Sequence, residues 1–191
     1  MKNFKLVVLA MALVVSMIPC SVSAASSPIN VTIDGVAVQW TDALPYVDAN
    51  NRTMVPLRPI GEAMGLDVEW DNSDKSATFS AAYDEKDAVS WGEVIDTDND
   101  EKNDSFMGGS GVVFTLNEKM AVSIILFYKL GADLETAEPT YTDADIINMD
   151  TAAVMKDKRT YAPIKYLAEF YGYTVTWEQK TNTVVLTSET K

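Results

Sequence analysis

Few side chains in this sequence are suited to catalysis. The 191 residues include no histidine and a single cysteine, Cys20. Nucleophile pairs that need histidine are therefore excluded, and so are imidazole or thiolate sites for zinc, copper or haem. What remains is carboxylate chemistry, in which two Asp or Glu side chains act at a fixed separation in a cleft, as in glycosidases. Some such pair is expected by chance among 28 acids, so the composition favours a protein that is not an enzyme.

Alternating acids in the middle of the chain suggest calcium binding as the other chemistry open to carboxylates. They occupy positions 1, 3, 5 and 9 of a loop, which is the alternation that aims oxygen ligands at a calcium ion. These residues are Asp96, Asp98, Asp100 and Asp104. Position 6 is Glu101 instead of glycine, and position 12 is Met107 instead of a bidentate glutamate. We interpret the segment as the exposed acidic tip of a hairpin with strands at residues 88–95 and 111–116, and calcium stays an alternative.

An internal repeat organises the elements that must position these residues. A stretch beginning at Arg52 recurs at Arg159, an offset of 107 residues (159 minus 52), and the register then holds without a gap. A repeat of this length, with the rare tryptophan in register both times, is hard to obtain by chance. The positions that define the motif are Arg52, Thr53, Pro56, Glu62, Gly65 and Trp70 in the first copy, and Arg159, Thr160, Pro163, Glu169, Gly172 and Trp177 in the second.

Each copy predicts the order helix, strand, turn, strand. A proline fits the first turn of the helix, where its missing N–H is no loss, and a glycine ends the helix after about two to three turns. Apolar residues then alternate with polar ones, which indicates a half-buried strand, and a second strand follows a polar turn. Residues 121–128 are strongly apolar and predict a buried element that is either a strand or a helix.

The repeated tryptophans and charges have structural interpretations. We interpret Trp70 and Trp177 as core anchors, because the apolar partner of valine in a half-buried strand is usually covered. We expect the glutamate on each helix to form a local ion pair with the arginine ahead of that helix. The expected pairs are Glu62 with Arg52 and Glu169 with Arg159.

These residues follow the pattern R-T-x-x-P-[LI]-[RK]-x-[IL]-x-E-x-x-G-x-x-V-x-W-[DE], which resembles the copper amine oxidase N-terminal domain family. Members, also called stalk domains, occur on exported proteins of Gram-positive bacteria. The resemblance covers residues 29–80 and 146–187 and implies an α+β fold, placed as an appendage away from any catalytic centre. It implies no copper, because the metal and the quinone cofactor belong to a separate catalytic domain. Lys165 stands where the family usually has arginine, and Asn50-Asn51 where a glycine commonly precedes Arg-Thr.

The N-terminus has the pattern of a cleavable secretion signal over residues 1–24. Two lysines precede an apolar run at residues 6–18, and small residues lead up to Ala24. The run is too short to cross a bilayer, and Pro19 before Cys20 disfavours a lipid anchor. Cleavage after Ala24 leaves 28 acids and 13 bases (15 minus 2), a net charge of −15 and no cysteine.

The sequence thus predicts a pseudo-duplicated α+β fold in which antiparallel strands curl around short helices, with an acidic hairpin insertion at residues 83–141. We expect residues 25–191 to form one domain that acts as a non-catalytic secreted or cell-envelope interaction or stalk module, without a cofactor. Its expected partner is an extracellular protein or a cell-wall component, since strong acidity disfavours nucleic acid, and the mature chain has no predicted transmembrane span. A calcium-dependent adhesion or binding domain and a cell-wall glycan-binding module are the alternatives.

Overall fold

The computed structural model describes residues 28–189, so the signal predicted for residues 1–24 lies outside the described residues. Within them the chain is mostly antiparallel β structure with three short helices, in agreement with an α+β fold. No helix in this part of the chain has the length and apolar composition needed to cross a membrane.

The elements follow the repeat and the segment between its copies. The first part contains β1 (Asn30–Ile33), β2 (Val36–Ala37), β3 (Tyr46–Val47), β4 (Thr53–Pro56), α1 (Leu57–Ala63), β5 (Asp67–Asp71) and β6 (Ser76–Ala82). The middle contains α2 (Glu85–Trp91), β7 (Val94–Ile95), β8 (Ser105–Thr115), β9 (Met120–Lys129) and β10 (Tyr141–Asn148). The last part contains β11 (Val154–Lys156), β12 (Arg159–Pro163), α3 (Ile164–Phe170), β13 (Tyr173–Glu178) and β14 (Thr183–Ser188).

Helices α1 and α3 end as the sequence predicts but begin one residue later. Pro56 and Pro163 are extended N-cap residues with ψ of 120°, directly before the first helical residue and not inside the first turn. Each helix is followed by a left-handed glycine with φ of 75°, Gly65 or Gly172. An added Cβ at either glycine meets no atom within 4 Å, so the backbone angle alone explains the residue.

The two copies share the sheet whose strand order is β11-β12-β4-β3. In its central antiparallel pair, Val55 of β4 lies opposite Ala162 of β12. These two residues are separated by 107 positions (162 minus 55), so each is the counterpart of the other in the repeat. The central pair of this sheet therefore joins equivalent strands of the two copies.

The remaining strands form two further sheets in the described chain. One has the order β13-β14-β1-β2, where β1 pairs with β14 in parallel and the other neighbours are antiparallel. The other has the order β10-β9-β8-β6-β5, with β7 added against β8. The middle segment therefore extends the sheet of the first copy, because β8 of that segment pairs in antiparallel orientation with β6.

The middle segment differs from the predicted hairpin. Residues 85–91 form α2, and only Val94–Ile95 of the expected strand at 88–95 is extended. The helix forms because Asp84 caps it, accepting the N–H of Asp87 at 2.9 Å, and because left-handed Gly92 ends it. Residues 111–115 of the strand expected at 111–116 belong to the longer β8, and the apolar run at 121–128 lies in strand β9.

One cluster of buried side chains takes members from both copies and from the middle segment. Phe79 and Phe114 meet edge to face, with ring centroids 5.9 Å apart. The Tyr171 hydroxyl donates to the Phe79 carbonyl at 3.1 Å, which ties the end of α3 to β6. Other buried members are Val31, Val55, Ile60, Val112, Ala162, Leu167, Val184 and Leu186.

Candidate functional site

The buried polar residues of the described chain are all serines and threonines. They are Ser76, Ser105, Ser110, Ser123, Thr151 and Thr183. A general acid needs a carboxyl group whose environment raises its pKa, usually by burial in an apolar site. No carboxylate within residues 28–189 is buried. The structure therefore gives the glycosidase hypothesis no support.

The repeated arginines form ion pairs that join the two halves of the chain. Arg52 pairs with Asp150, which precedes the repeated arginine of the second copy, and Arg159 pairs with Asp42, which precedes the repeated arginine of the first. The hydrogen bond from Arg52 holds the pKa of Asp150 below its usual value, and the bond from Arg159 does the same for the pKa of Asp42. Each arginine therefore contacts the segment that precedes the arginine of the other copy.

The expected pairs between these arginines and the helix glutamates are wrong. Glu62 instead lies 4.0 Å from Arg58, and Glu169 lies 3.7 Å from Lys165, each one turn away on the same helix. Charged groups four residues apart on a helix are neighbours, and such exposed pairs contribute little stability. Asp42 stands ten residues before Arg52 (52 minus 42), and Asp150 stands nine residues before Arg159 (159 minus 150). The spacing suggests a pair within each copy, but in the structure each aspartate binds the arginine of the other copy.

Two surface grooves lie at the junction of the copies. The Trp70 groove has a volume of about 530 Å³. It is lined by Thr41, Asp42, Pro56, Leu57, Arg58, Pro59, Glu62, Val68, Glu69, Trp70, Ala77, Met155, Lys158, Arg159 and Thr160. The Trp177 groove has a volume of about 410 Å³. It is lined by Val47, Asn51, Arg52, Thr53, Pro163, Ile164, Lys165, Val175, Thr176, Trp177 and Val184.

The two grooves correspond residue by residue. Ten of the eleven residues that line the Trp177 groove stand 107 positions from a residue that lines the Trp70 groove, and Val47 is the exception. Each groove combines the tryptophan of one copy with the Arg-Thr pair of the other, so that Trp177 shares its groove with Arg52 and Thr53. Neither groove is complete within a single copy.

The tryptophans differ in burial. Trp70 is half-buried and packs against the main core cluster. Trp177 is 47% exposed. The core-anchor interpretation is therefore wrong for Trp177, whose ring forms part of the groove surface. The Trp70 groove has the additional lining residues Thr41 and Asp42, which have no counterpart in the lining of the Trp177 groove.

The acidic loop brings together three of the four residues considered for calcium. Single carboxylate oxygens of Asp96, Asp98 and Asp104 lie within 4.8 Å of one another. Asp100 is outside this group, and its carboxylate lies 3.7 Å from Lys102. The segment forms a loop between β7 and β8, where Asp96 accepts the backbone N–H groups of residues 98–101.

The chain itself supplies a cation to this loop. The Lys129 ammonium pairs with Asp104 and, together with hydrogen bonds from Thr97 and Ser105, holds the pKa of that carboxyl well below its usual range. The same contact raises the pKa of Lys129. An ion bound here would compete with Lys129 for an oxygen of Asp104.

Comparison with known proteins identifies the repeat. A family model of the copper amine oxidase N-terminal domain matches residues 32–101 and 126–191, which is consistent with two copies of the motif. The two matched segments together cover more than half of the chain and include both tryptophans. No curated protein and no solved structure matches the chain.

Proposed function

Because the chain belongs to the copper amine oxidase N-terminal domain family, we propose that it is a non-catalytic interaction module that acts outside the cytoplasm, either secreted or at the cell envelope. The N-terminal domain of copper amine oxidases is itself a non-catalytic domain. The secretion pattern at residues 1–24 supports the location. The expected partner is an extracellular protein or a cell-wall component.

The observation that carries this proposal is the exposed Trp177 in a groove between the copies. A monomeric soluble protein gains stability by covering a large aromatic ring, so a ring left open beside polar side chains is typical of a binding surface. Val47, on the same groove, is also exposed, with 49% of its surface open to solvent. The groove therefore offers a concave apolar surface with polar groups around it.

We also infer that the fold is a pseudo-duplication about a local two-fold axis. The axis would pass between Val55 and Ala162, because Met54 lies opposite Pro163 and Pro56 lies opposite Tyr161 in the same pair of strands. The matching order of elements, β4-α1-β5-β6 and β12-α3-β13-β14, supports this arrangement. The middle segment, from α2 to β10, then stands as the insertion between the copies.

The proposal is tested by fractionation. The chain from residue 25 onward is incubated with isolated cell walls, with membrane vesicles and with protease-treated walls from a Gram-positive bacterium, and each fraction is sedimented. We expect retention by at least one envelope fraction and none of an unrelated protein of equal size and net charge. A chain that stays in the supernatant with every fraction would contradict the proposal.

A calcium-dependent adhesion or binding domain is the second candidate function. The convergence of Asp96, Asp98 and Asp104 favours it, whereas the pair between Lys129 and Asp104 opposes it. Calorimetric titration with Ca²⁺ distinguishes the two: binding that is lost in Asp98→Ala and strengthened in Lys129→Met supports calcium. Absence of binding to the wild-type chain removes this candidate.

A further inference from the structure

The Trp177 groove differs in charge from its counterpart. The lining of the Trp70 groove balances three acids, Asp42, Glu62 and Glu69, with three bases, Arg58, Lys158 and Arg159. The lining of the Trp177 groove has Arg52 and Lys165 and no acid. Its counterpart of Glu69 is Thr176 and its counterpart of Lys158 is Asn51, so one acid and one base of the Trp70 groove are replaced by neutral residues. Both cations contact an acid that lies outside the lining, Asp150 for Arg52 and Glu169 for Lys165. In a chain of net charge −13, a lining whose charged side chains are all cations favours an anionic ligand.

The two cations differ in how firmly they are held. Arg52 is bound by Asp150, which fixes the direction of its guanidinium group at the groove. Lys165 lies 3.7 Å from Glu169 in an exposed pair on one helix, and solvent weakens such a contact. The ammonium group of Lys165 can therefore move to a ligand at little cost, whereas Arg52 presents a preset charge.

The uncharged part of the lining suits a ring with one apolar face and several hydroxyl groups. The indole of Trp177 is a flat apolar surface with an N–H donor at its edge. Asn51, Thr53 and Thr176 line the same groove and supply amide and hydroxyl groups that both donate and accept hydrogen bonds. A sugar ring offers C–H groups to stack on the indole and hydroxyls for these side chains.

We propose that the Trp177 groove binds a saccharide that carries carboxylate groups. One sugar ring stacks on Trp177, and its carboxylate is held by Lys165 with Arg52 beside it, a charge-assisted contact of the kind that carboxylates form with both side chains. This inference rests on the proposed interaction function and names the class of ligand and its site. The Trp70 groove, with balanced charges and a half-buried tryptophan, has no such preference and serves as an internal reference.

The experiment uses tetragalacturonate and its neutral methyl ester as probes, with calorimetry on the chain from residue 25 onward. The two probes share ring faces and hydroxyls and differ in charge. We expect the acid to bind and the ester to bind at least about tenfold more weakly, because the ester loses the contact with Lys165. Binding of the acid should weaken as salt is added.

Three variants locate the site. Trp177→Ala should weaken binding of the acid by about tenfold or more, and Lys165→Gln should weaken it several-fold. Arg58→Gln, the matched change in the Trp70 groove, should leave binding unchanged. Circular dichroism and the thermal midpoint confirm that each variant is folded, which is expected because all three residues are about half exposed and lie outside the buried cluster.

Each other result has a definite meaning. Equal binding of acid and ester, no binding of either probe, or unchanged binding by Trp177→Ala overturns the inference. Tighter binding of polyglutamate than of tetragalacturonate, abolished by Trp177→Ala, also overturns it, because the ligand would then be an acidic peptide. If cell walls retain the wild-type chain and Trp177→Ala equally, the saccharide inference fails while the interaction function stands. If no envelope fraction retains the wild-type chain, the saccharide inference and the proposed interaction function both fail.

Discussion

Gly61 on α1 lies where the helix touches strands β5 and β6. A Cβ at this position would stand 2.5 Å from Cγ2 of Val68 and 2.7 Å from the ring of Phe79. Its counterpart on α3 is Ala168 (61 plus 107), which is fully buried, so the second copy accommodates the methyl group that the first excludes. The close approach of α1 to its strands therefore requires glycine, although glycine is a poor helix former.

Gly61→Ala should destabilise the protein by about 1 to 3 kcal/mol, because overpacking outweighs the gain of about 1 kcal/mol in helix propensity. Urea unfolding measures the change. Ala168→Gly is the matched control in α3 and should also destabilise, since it removes a buried methyl and a good helix former. An increase in the stability of Gly61→Ala would mean that the contacts with Val68 and Phe79 are wrong.

The pair between Asp104 and Lys129 predicts a change of stability with acid. The hydrogen bond from Lys129 is the largest cause of the lowered pKa of Asp104 in the folded protein. A group with a depressed folded pKa stabilises the fold above its unfolded pKa of about 3.9, and the contribution is lost as pH falls through the folded pKa. Asp104→Asn should therefore lower the thermal midpoint at pH 7 and make progressively less difference below about pH 4.

The control for this prediction is Asp98→Asn, which lies in the same loop. The Asp98 carboxylate acts on Lys129 only through charge and forms no ion pair within 4.0 Å in the described part of the chain. The thermal midpoint of Asp98→Asn should differ little from that of the wild type across the same pH range. If Asp104→Asn and the wild type differ equally at pH 7 and at pH 2.5, the ionised pair does not contribute in the way that the geometry implies.

Among the elements, α2 depends on one capping side chain. The Asp84 carboxylate accepts the N–H of Asp87 and satisfies a donor at the start of the helix that has no partner within it. Asp84→Ala should cost about 1 kcal/mol. Lys86→Ala changes an exposed residue in the first turn of the same helix and should lower the free energy of unfolding by only about a few tenths of a kcal/mol. Hydrogen exchange that shows equal protection of α2 in both variants would contradict the capping role.

The sequence predicted α1 and α3 because their limits are local. A proline before the helix and a left-handed glycine after it act through the backbone and need no distant partner. Val89, Trp91, Val94 and Ile95 favour strands by composition, so the sequence predicts a strand where α2 forms. The residues that decide the structure are Asp84 and Gly92, which act only at the ends of the helix.

The candidate site was predictable only in part. The repeat identified both tryptophans and both arginines, but each groove pairs the tryptophan of one copy with the arginine of the other. Burial of a strand residue depends on which element covers that face, and this is a tertiary property that alternation cannot specify. For the same reason the alternation predicts a buried Trp177, whereas the ring is 47% exposed and its groove has no counterpart of the lining residues Thr41 and Asp42.

In the whole molecule, the two copies are joined by the β4–β12 pair, by the exchanged arginine pairs and by one cluster of buried side chains. A helix of seven residues with two strands is too small to bury the apolar surface that offsets chain entropy. The chain from residue 25 onward also has no cysteine for a disulfide. Each copy therefore depends on the other for its core, and we predict that they unfold together.

Leu167→Ala tests this dependence, because Leu167 is fully buried on α3 and belongs to the shared cluster. The change should cost about 2 to 5 kcal/mol. Since unfolding of the second copy exposes the side of β4 that pairs with β12, hydrogen exchange should accelerate in β5 and β6 of the first copy by the same free energy as in β13 and β14. Trp177→Ala is the control: its ring is exposed, so it should leave both sets of amides protected. Full protection of β5 and β6 in Leu167→Ala, with opening confined to β13 and β14, would show that the copies are separate folding units despite their common sheet.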